Sequence, residues 1–183
     1  MKRSILTTVS VLALSVATPA FAQDNSSTVN QTGTTNTTGV TQTGSGSNST
    51  VTQNGDLNQA TVGQSGADQK SLVNQQTSGA LAEVAQSGED NDSEIQQTAD
   101  ADAKVTQSGT NMLGGYSPDA YPNNRSLITQ SGAGASADVS QSGTLNRSTV
   151  SQTEAATAGV IQSGTYNNST VTQTAAGAEA TVN

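Results

Sequence analysis

From residue 26 onward the chain sets single β-branched residues in a polar background at a fixed interval. Val or Ile stands at positions 29, 40, 51, 62, 73, 84, 95, 105, 128, 139, 150, 160, 171 and 182. Two residues after each of the first thirteen comes a glutamine: Gln31, Gln42, Gln53, Gln64, Gln75, Gln86, Gln97, Gln107, Gln130, Gln141, Gln152, Gln162 and Gln173. The spacing is eleven nearly throughout. It shortens to ten before Gln107 and Gln162 and lengthens to 23 between Gln107 and Gln130. Two residues before each Val or Ile the chain alternates Ser and Ala, as in Ser49, Ala60, Ser71 and Ala82, and only Thr38 breaks the rhythm. The repeat is therefore about 22 residues long and holds one Ser-x-Val-x-Gln half and one Ala-x-Val-x-Gln half.

Alternation with period two predicts a strand in each half. Ser or Ala, Val and Gln share one face and the intervening residues the other, and β-branched residues suit a pleated, packed surface. Between strands lie turn residues. Gly often follows two places after the Gln, at Gly33, Gly44, Gly55, Gly66, Gly88, Gly109, Gly132, Gly143 and Gly164, and is replaced at Thr77, Ala99, Glu154 and Ala175. Asn follows three later at Asn36, Asn58, Asn91, Asn146 and Asn167. Gly and Asn both tolerate positive φ, which assigns them to tight reversals.

A strand-turn-strand-turn unit of this size cannot bury its inner face alone, so units must stack. The fold class expected is all-β: a β-solenoid, or β-arcade, of about seven 22-residue coils with two parallel sheets face to face, roughly 34 Å long at about 4.8 Å per coil. An inward Gln is costly unless bonded. In a stack its amide donates to one neighbouring Gln and accepts from the other, forming a ladder.

Composition sharpens this picture. The 183 residues contain no Cys, His or Trp, and 2% are aromatic. That is poor material for an ordinary globular core and, without the repeat, would read as disorder. Residues 1–22 have the form of a secretory signal peptide: Lys2 and Arg3, a short apolar run over Ile5–Val16, and Ala20-Phe21-Ala22 before the cleavage point. The repeat domain then spans 23–183, with no apolar segment of transmembrane length. It holds four basic and fourteen acidic residues, a net charge of −10, which disfavours nucleic acid as a partner. An exported chain without Cys takes no stability from disulfides.

Candidate chemistry is sparse. Asn91-Asp92-Ser93, Asn146-Arg147-Ser148 and Asn167-Asn168-Ser169 match the glycosylation acceptor, but the repeat itself demands a turn Asn followed by an inward Ser. Glu89–Glu94 places carboxylates at alternate positions without the Gly of a Ca²⁺ loop. It reads as a solvated acidic turn whose stacked like charges would slow edge-to-edge growth. Glu83, Glu94 and Asp138 fall on the expected outer face. Residues 111–124 interrupt the array with Tyr116, Tyr121 and prolines that cannot join a ladder centrally, and read as a loop insertion with a partner contact as the sharper alternative. No catalytic, metal or cofactor site is assigned; a nucleophile would have to be Ser with Lys70 or Lys104, and nothing marks one.

The phrase Q-x-G-x-x-N-x-A with a second Gln eleven residues on, as in Gln53, Gly55, Asn58, Ala60 and Gln64, resembles the curlin repeat of curli subunits. The resemblance covers nearly all of residues 26–183. It implies a secreted, non-enzymatic subunit that self-assembles into extracellular amyloid fibres for biofilm and surface attachment. It also implies a second curlin-type subunit and an outer-membrane export pore as partners. The chain departs from the family pattern in its few aromatics and in lacking a Gly-rich leader ahead of the first repeat. A monomeric solenoid adhesin is the rival; it would require capping ends, whereas here the first strand begins near Gln23 and the last ends with Asn183. An ice-binding solenoid would need a flat outward Thr array, and the Thr pairs at 50/52 and 170/172 are not continued between them.

Overall fold

The computed structural model of the protein describes residues 24–109 and 124–183. The leader at 1–22, both Tyr116 and Tyr121, and the insertion up to residue 123 lie outside the described residues. The first stretch forms β1 (Ser26–Thr32), β2 (Thr37–Ser45), β3 (Asn48–Asn54), β4 (Gln59–Ala67), β5 (Lys70–Gln75), β6 (Leu81–Glu89), β7 (Asn91–Gln97) and β8 (Ala101–Gly109). The second forms β9 (Asn124–Gln130), β10 (Ala135–Thr144), β11 (Asn146–Gln152), β12 (Thr157–Thr165), β13 (Asn168–Gln173) and β14 (Glu179–Val182).

Odd-numbered strands make one seven-stranded sheet and even-numbered strands the other, each in chain order. Every pairing is parallel. The chain is thus a β-solenoid with seven strand pairs and six coil-to-coil steps. Register places like on like: Val29, Val51, Val73 and Ile95 follow one another in the odd sheet, and Ile95 then pairs with Ile128 across the insertion. Asn124, counted with the insertion on sequence, is the first residue of β9 and fully buried, so the repeat resumes there.

Packing follows the alternation. Val51, Val73, Ile95, Ile128 and Val150 of the odd sheet and Val62, Val84, Val105, Val139 and Val160 of the even sheet are buried between the sheets. Each contributes roughly 1.5 kcal/mol or more by leaving water. Val29 and Val40 at one end of the stack, and Ala180 and Val182 at the other, are only partly buried against this core.

The two corners differ. The corner after each even strand carries Gly two places past the Gln, with positive φ at Gly44, Gly66, Gly88, Gly143 and Gly164. The corner after each odd strand carries all four Gly replacements, Thr77, Ala99, Glu154 and Ala175. In its first two copies the bend uses Gly33 and Gly55 at positive φ, but later copies move the left-handed residue to Gly79, Gly134 and Gly177. Gly132 is not left-handed there. The two ten-residue units, turning through Thr98–Asp100 and Thr153–Ala155, contain no left-handed residue. Deleting that residue is what shortens the spacing while keeping the strands in register.

Candidate functional site

The thirteen glutamines lie in two columns inside the stack. In the odd sheet each Nε2 donates to the next Oε1: Gln31 to Gln53 at 2.7 Å, Gln53 to Gln75 at 2.9 Å and Gln75 to Gln97 at 3.0 Å. The column continues from Gln97 to Gln130 at 3.1 Å, Gln130 to Gln152 at 2.9 Å and Gln152 to Gln173 at 2.8 Å. In the even sheet Gln42, Gln64, Gln86, Gln107, Gln141 and Gln162 are joined by bonds of 2.8–2.9 Å in the same sense. All donors point toward higher residue number, so each ladder is polar along the stack.

The same amides do a second task that the strand pattern does not announce. From Gln42 onward each Gln lies beside the start of the strand before it in the opposite sheet, and its Nε2 also donates to a backbone carbonyl there. Gln53 bonds Thr37 O at 3.2 Å, Gln64 bonds Asn48 O at 3.2 Å, Gln86 bonds Lys70 O at 2.8 Å and Gln141 bonds Arg125 O at 3.1 Å. One side chain therefore links coil to coil and sheet to sheet, which keeps both amide hydrogens bonded in a buried position.

The Asn positions differ from their sequence assignment. The left-handed residue is the one before: Thr35, Leu57, Asp90, Leu145 and Tyr166, at φ of 56–61°. That turn aims the following Asn inward, where Asn58, Asn91 and Asn146 are buried. Each is a peg between coils. Asn36 Nδ2 donates to Thr32 O in its own turn at 3.1 Å and to Gly55 O of the next coil at 2.8 Å, and its Oδ1 accepts from Asn58 N at 3.0 Å. Asn146 repeats the set with Ser142 O, Gly164 O and Asn167 N, and Asn167 Nδ2 in turn bonds Ser163 O. Asn25, Gln69 and Asn124 hold the same place; Gln69 is hidden by its residue type, and Asn25 and Asn124 by having no ladder Gln five residues before them. Counting back six from the following Gln places Asn25 and Asn124. Burial of Asn91 and Asn146 with their amides engaged leaves these two acceptor sequences shielded in the folded chain.

Thr38, the break in the Ser/Ala rhythm, sits in the first coil and accepts from Gln31 Nε2 at 3.1 Å while donating to Gln53 Oε1 at 2.8 Å. Its hydroxyl braces the first rung of the odd ladder. The Ser column is the opposite case. Oγ of Ser49, Ser71, Ser93 and Ser126 is buried with no partner. Ser71→Ala is accordingly expected to leave the urea unfolding midpoint unchanged or raise stability by about 1 kcal/mol, since an unpartnered buried hydroxyl contributes only its desolvation cost. A loss larger than 1 kcal/mol would show the hydroxyl to be bonded.

The acidic stretch at Glu89–Glu94 occupies β6, the following turn and β7, in the middle of the stack, so it cannot shield the ends from edge-to-edge growth. Nor does it stack like on like: Asp92 lies in register between Lys70 and Arg125. Burial raises its carboxyl pKa, opposed by Lys70 and Arg125 and reinforced by Glu94. Exposed Asp56 is shifted the other way, held low by the backbone and hydroxyl hydrogen bonds it accepts from Thr34. Among the described residues no three acidic side chains converge on a metal-sized site.

This geometry meets an independent finding at its first coil. The family model for the Curlin associated repeat matches residues 22–55, which contain β1, β2 and β3. Those residues form a curlin-type repeat. The phrase recurs in register along both sheets, with Gln on Gln and Val or Ile on Val or Ile at each step as far as β13 and β12. No curated protein and no solved structure matches the chain. Among the described residues no helix is long and apolar enough to cross a membrane.

Proposed function

We propose that this curlin-repeat chain is a secreted structural subunit that assembles end to end into extracellular cross-β fibres of the curli type, serving a biofilm matrix and surface adhesion. One observation carries the reading: the core and the ladders are open at both ends of the described stack. β1 and β2 at one end, β13 and β14 at the other, have a strand neighbour on one side only among the described residues, and the inward Val29, Val40 and Val182 remain partly exposed. Gln31 Oε1 and Gln173 Nε2 stand at opposite ends of one polar ladder. A second copy stacked in the same sense would bring donor to acceptor and Val to Val, as between coils within the chain.

The resemblance further supports export through a dedicated outer-membrane pore and templating by a second curlin-type subunit. The insertion falls between β8 and β9, in the connection that follows an even strand, and the two strands flanking it keep the register of the stack. The test is direct. The exported chain, released from denaturant, is expected to raise thioflavin-T fluorescence and give fibres with a meridional reflection near 4.7–4.8 Å. A chain that stays monomeric at high concentration and yields no such reflection is instead the single solenoid adhesin.

A further inference from the structure

The stack has four sides, and charge divides them unequally. On the outer face of the odd sheet, Lys70, Asp92, Arg125 and Arg147 follow one another in register in one column. Arg125 Nε lies 3.9 Å from Asp92 Oδ2. Arg147 has Arg125 and Asn168 as its neighbours, is exposed, and makes no ion pair among the described residues. With Glu94 this face holds three cations and two carboxylates.

The outer face of the even sheet is the reverse. Lys104 pairs with Glu83 at 3.4 Å and lies in register with Asp138, while Asp102 and Glu179 carry no cation in register. One cation thus faces four carboxylates. The corners are acidic too, with Asp56, Asp100 and Glu154 on one and Asp68, Glu89 and Asp90 on the other. The odd face is the one side of the described stack without net negative charge.

We propose that fibres of this chain associate laterally by laying the odd-sheet face of one copy on the even-sheet face of a second copy. The proposal rests on the fibre reading and adds its lateral contact. Even-on-even or corner-on-corner contact would oppose carboxylates in a chain already strongly acidic, whereas odd-on-even contact opposes Arg125 and Arg147 to Asp102 and Asp138. The other outward residues of both faces are uncharged apart from these, and many are small, as with Thr129 and Ser151 on one and Gly63 and Ser140 on the other. Exposed Leu81 and Ile161 on the even face supply apolar contact. A single exposed ion pair is weak, but a fibre repeats it once per subunit, so the contacts act together.

The test uses fibres of the full exported chain, with width read by negative-stain microscopy and axial order by the 4.8 Å reflection. Parent fibres are expected to pair at low salt and separate into single fibres near 1 M salt, where the screening length falls to about 3 Å. Arg125→Glu with Arg147→Glu, and separately Asp102→Lys with Asp138→Lys, should each cut the paired fraction at least fivefold with the reflection unchanged. Combining all four restores pairing, because the faces have exchanged sign. The milder Arg147→Gln should give a partial loss if the double variant fails to fold. Pairing insensitive to salt and to both face variants overturns the proposal. So does sensitivity to the odd-face variant alone, which would mean odd-on-odd contact. A parent chain that gives no 4.8 Å reflection overturns the fibre reading itself, and this inference with it.

Discussion

Gly66→Ala is expected to destabilise the solenoid by on the order of 4 kcal/mol, among the largest effects of any single methyl group in this chain. Gly66 adopts φ +114°, and a Cβ there would lie 1.9 Å from the carbonyl oxygen of Gly88 in the next coil. The left-handed backbone alone costs an L-residue about 1–2 kcal/mol. The overlap adds to this because Gly88 belongs to the same corner and is held by its own pairing to β8. Relief at one coil would have to shift the next. Gly39→Ala is the control: it lies mid-strand in β2, without positive φ and with nothing within 4 Å of an added Cβ. It should be neutral or stabilising by up to about 1 kcal/mol, because glycine in a strand interior loses more freedom on folding. Urea unfolding of the two variants side by side checks this, and equal midpoints would mean the corner can open without cost.

Gln75→Leu comes second, with an expected loss of about 2–4 kcal/mol. Leu fills a similar volume, so the effect isolates the amide. Gln75 accepts from Gln53 and donates to Gln97, while its Nε2 also reaches Gln59 O and Ala80 O, each at 3.0 Å. After substitution Gln97 Oε1 loses its ladder donor and Gln53 Nε2 loses one of its two acceptors, at roughly 1–3 kcal/mol for each buried group left unpaired. Ala80 O keeps its bond from Gln59 N. Gln31→Leu, in the half-buried first rung, should cost much less, since water replaces what is lost. If Gln75→Leu and Gln31→Leu have the same unfolding midpoint, the ladder is not a source of stability. In assembly, the Gln75 variant should also lengthen the thioflavin-T lag, because a coil with a broken rung presents a less ordered template.

Several structural features could be read without coordinates, and the reason is specific. A residue's face in a strand depends only on odd or even position, so Val51, Gln53 and Ser49 declare a shared inner face, and Glu83 and Asp138 an outer one. The constant 22-residue period sets Ser on Ser and Gln on Gln once the sheets are parallel. The departures from the Gly rule could be placed, but not what bends the chain there instead. Thr77, Ala99, Glu154 and Ala175 each follow a Ser half and so share one corner, where the left-handed residue moves to Gly79 or Gly177 or is absent. Asn124 was hidden by the insertion, which spoils the count from Gln107 but not the count back from Gln130.

The repeat by itself therefore determined the architecture: the period, the inward set of Ser or Ala, Val and Gln, and the stacking of identical positions. Tertiary structure decided what the polar side chains bond. Asn58 is a buried peg rather than a left-handed turn residue because Leu57 takes the positive φ and turns it inward. Gln64 reaches Asn48 O in the opposite sheet because the corner brings the inner side of β4 beside the start of β3. Asp92 lies between Lys70 and Arg125, not among its acidic neighbours in sequence, because register joins residues 22 and 33 positions apart. Alternation along a strand encodes a direction for each side chain. A hydrogen-bond or charge partner one coil away depends on turn geometry and register, and only the folded stack supplies both.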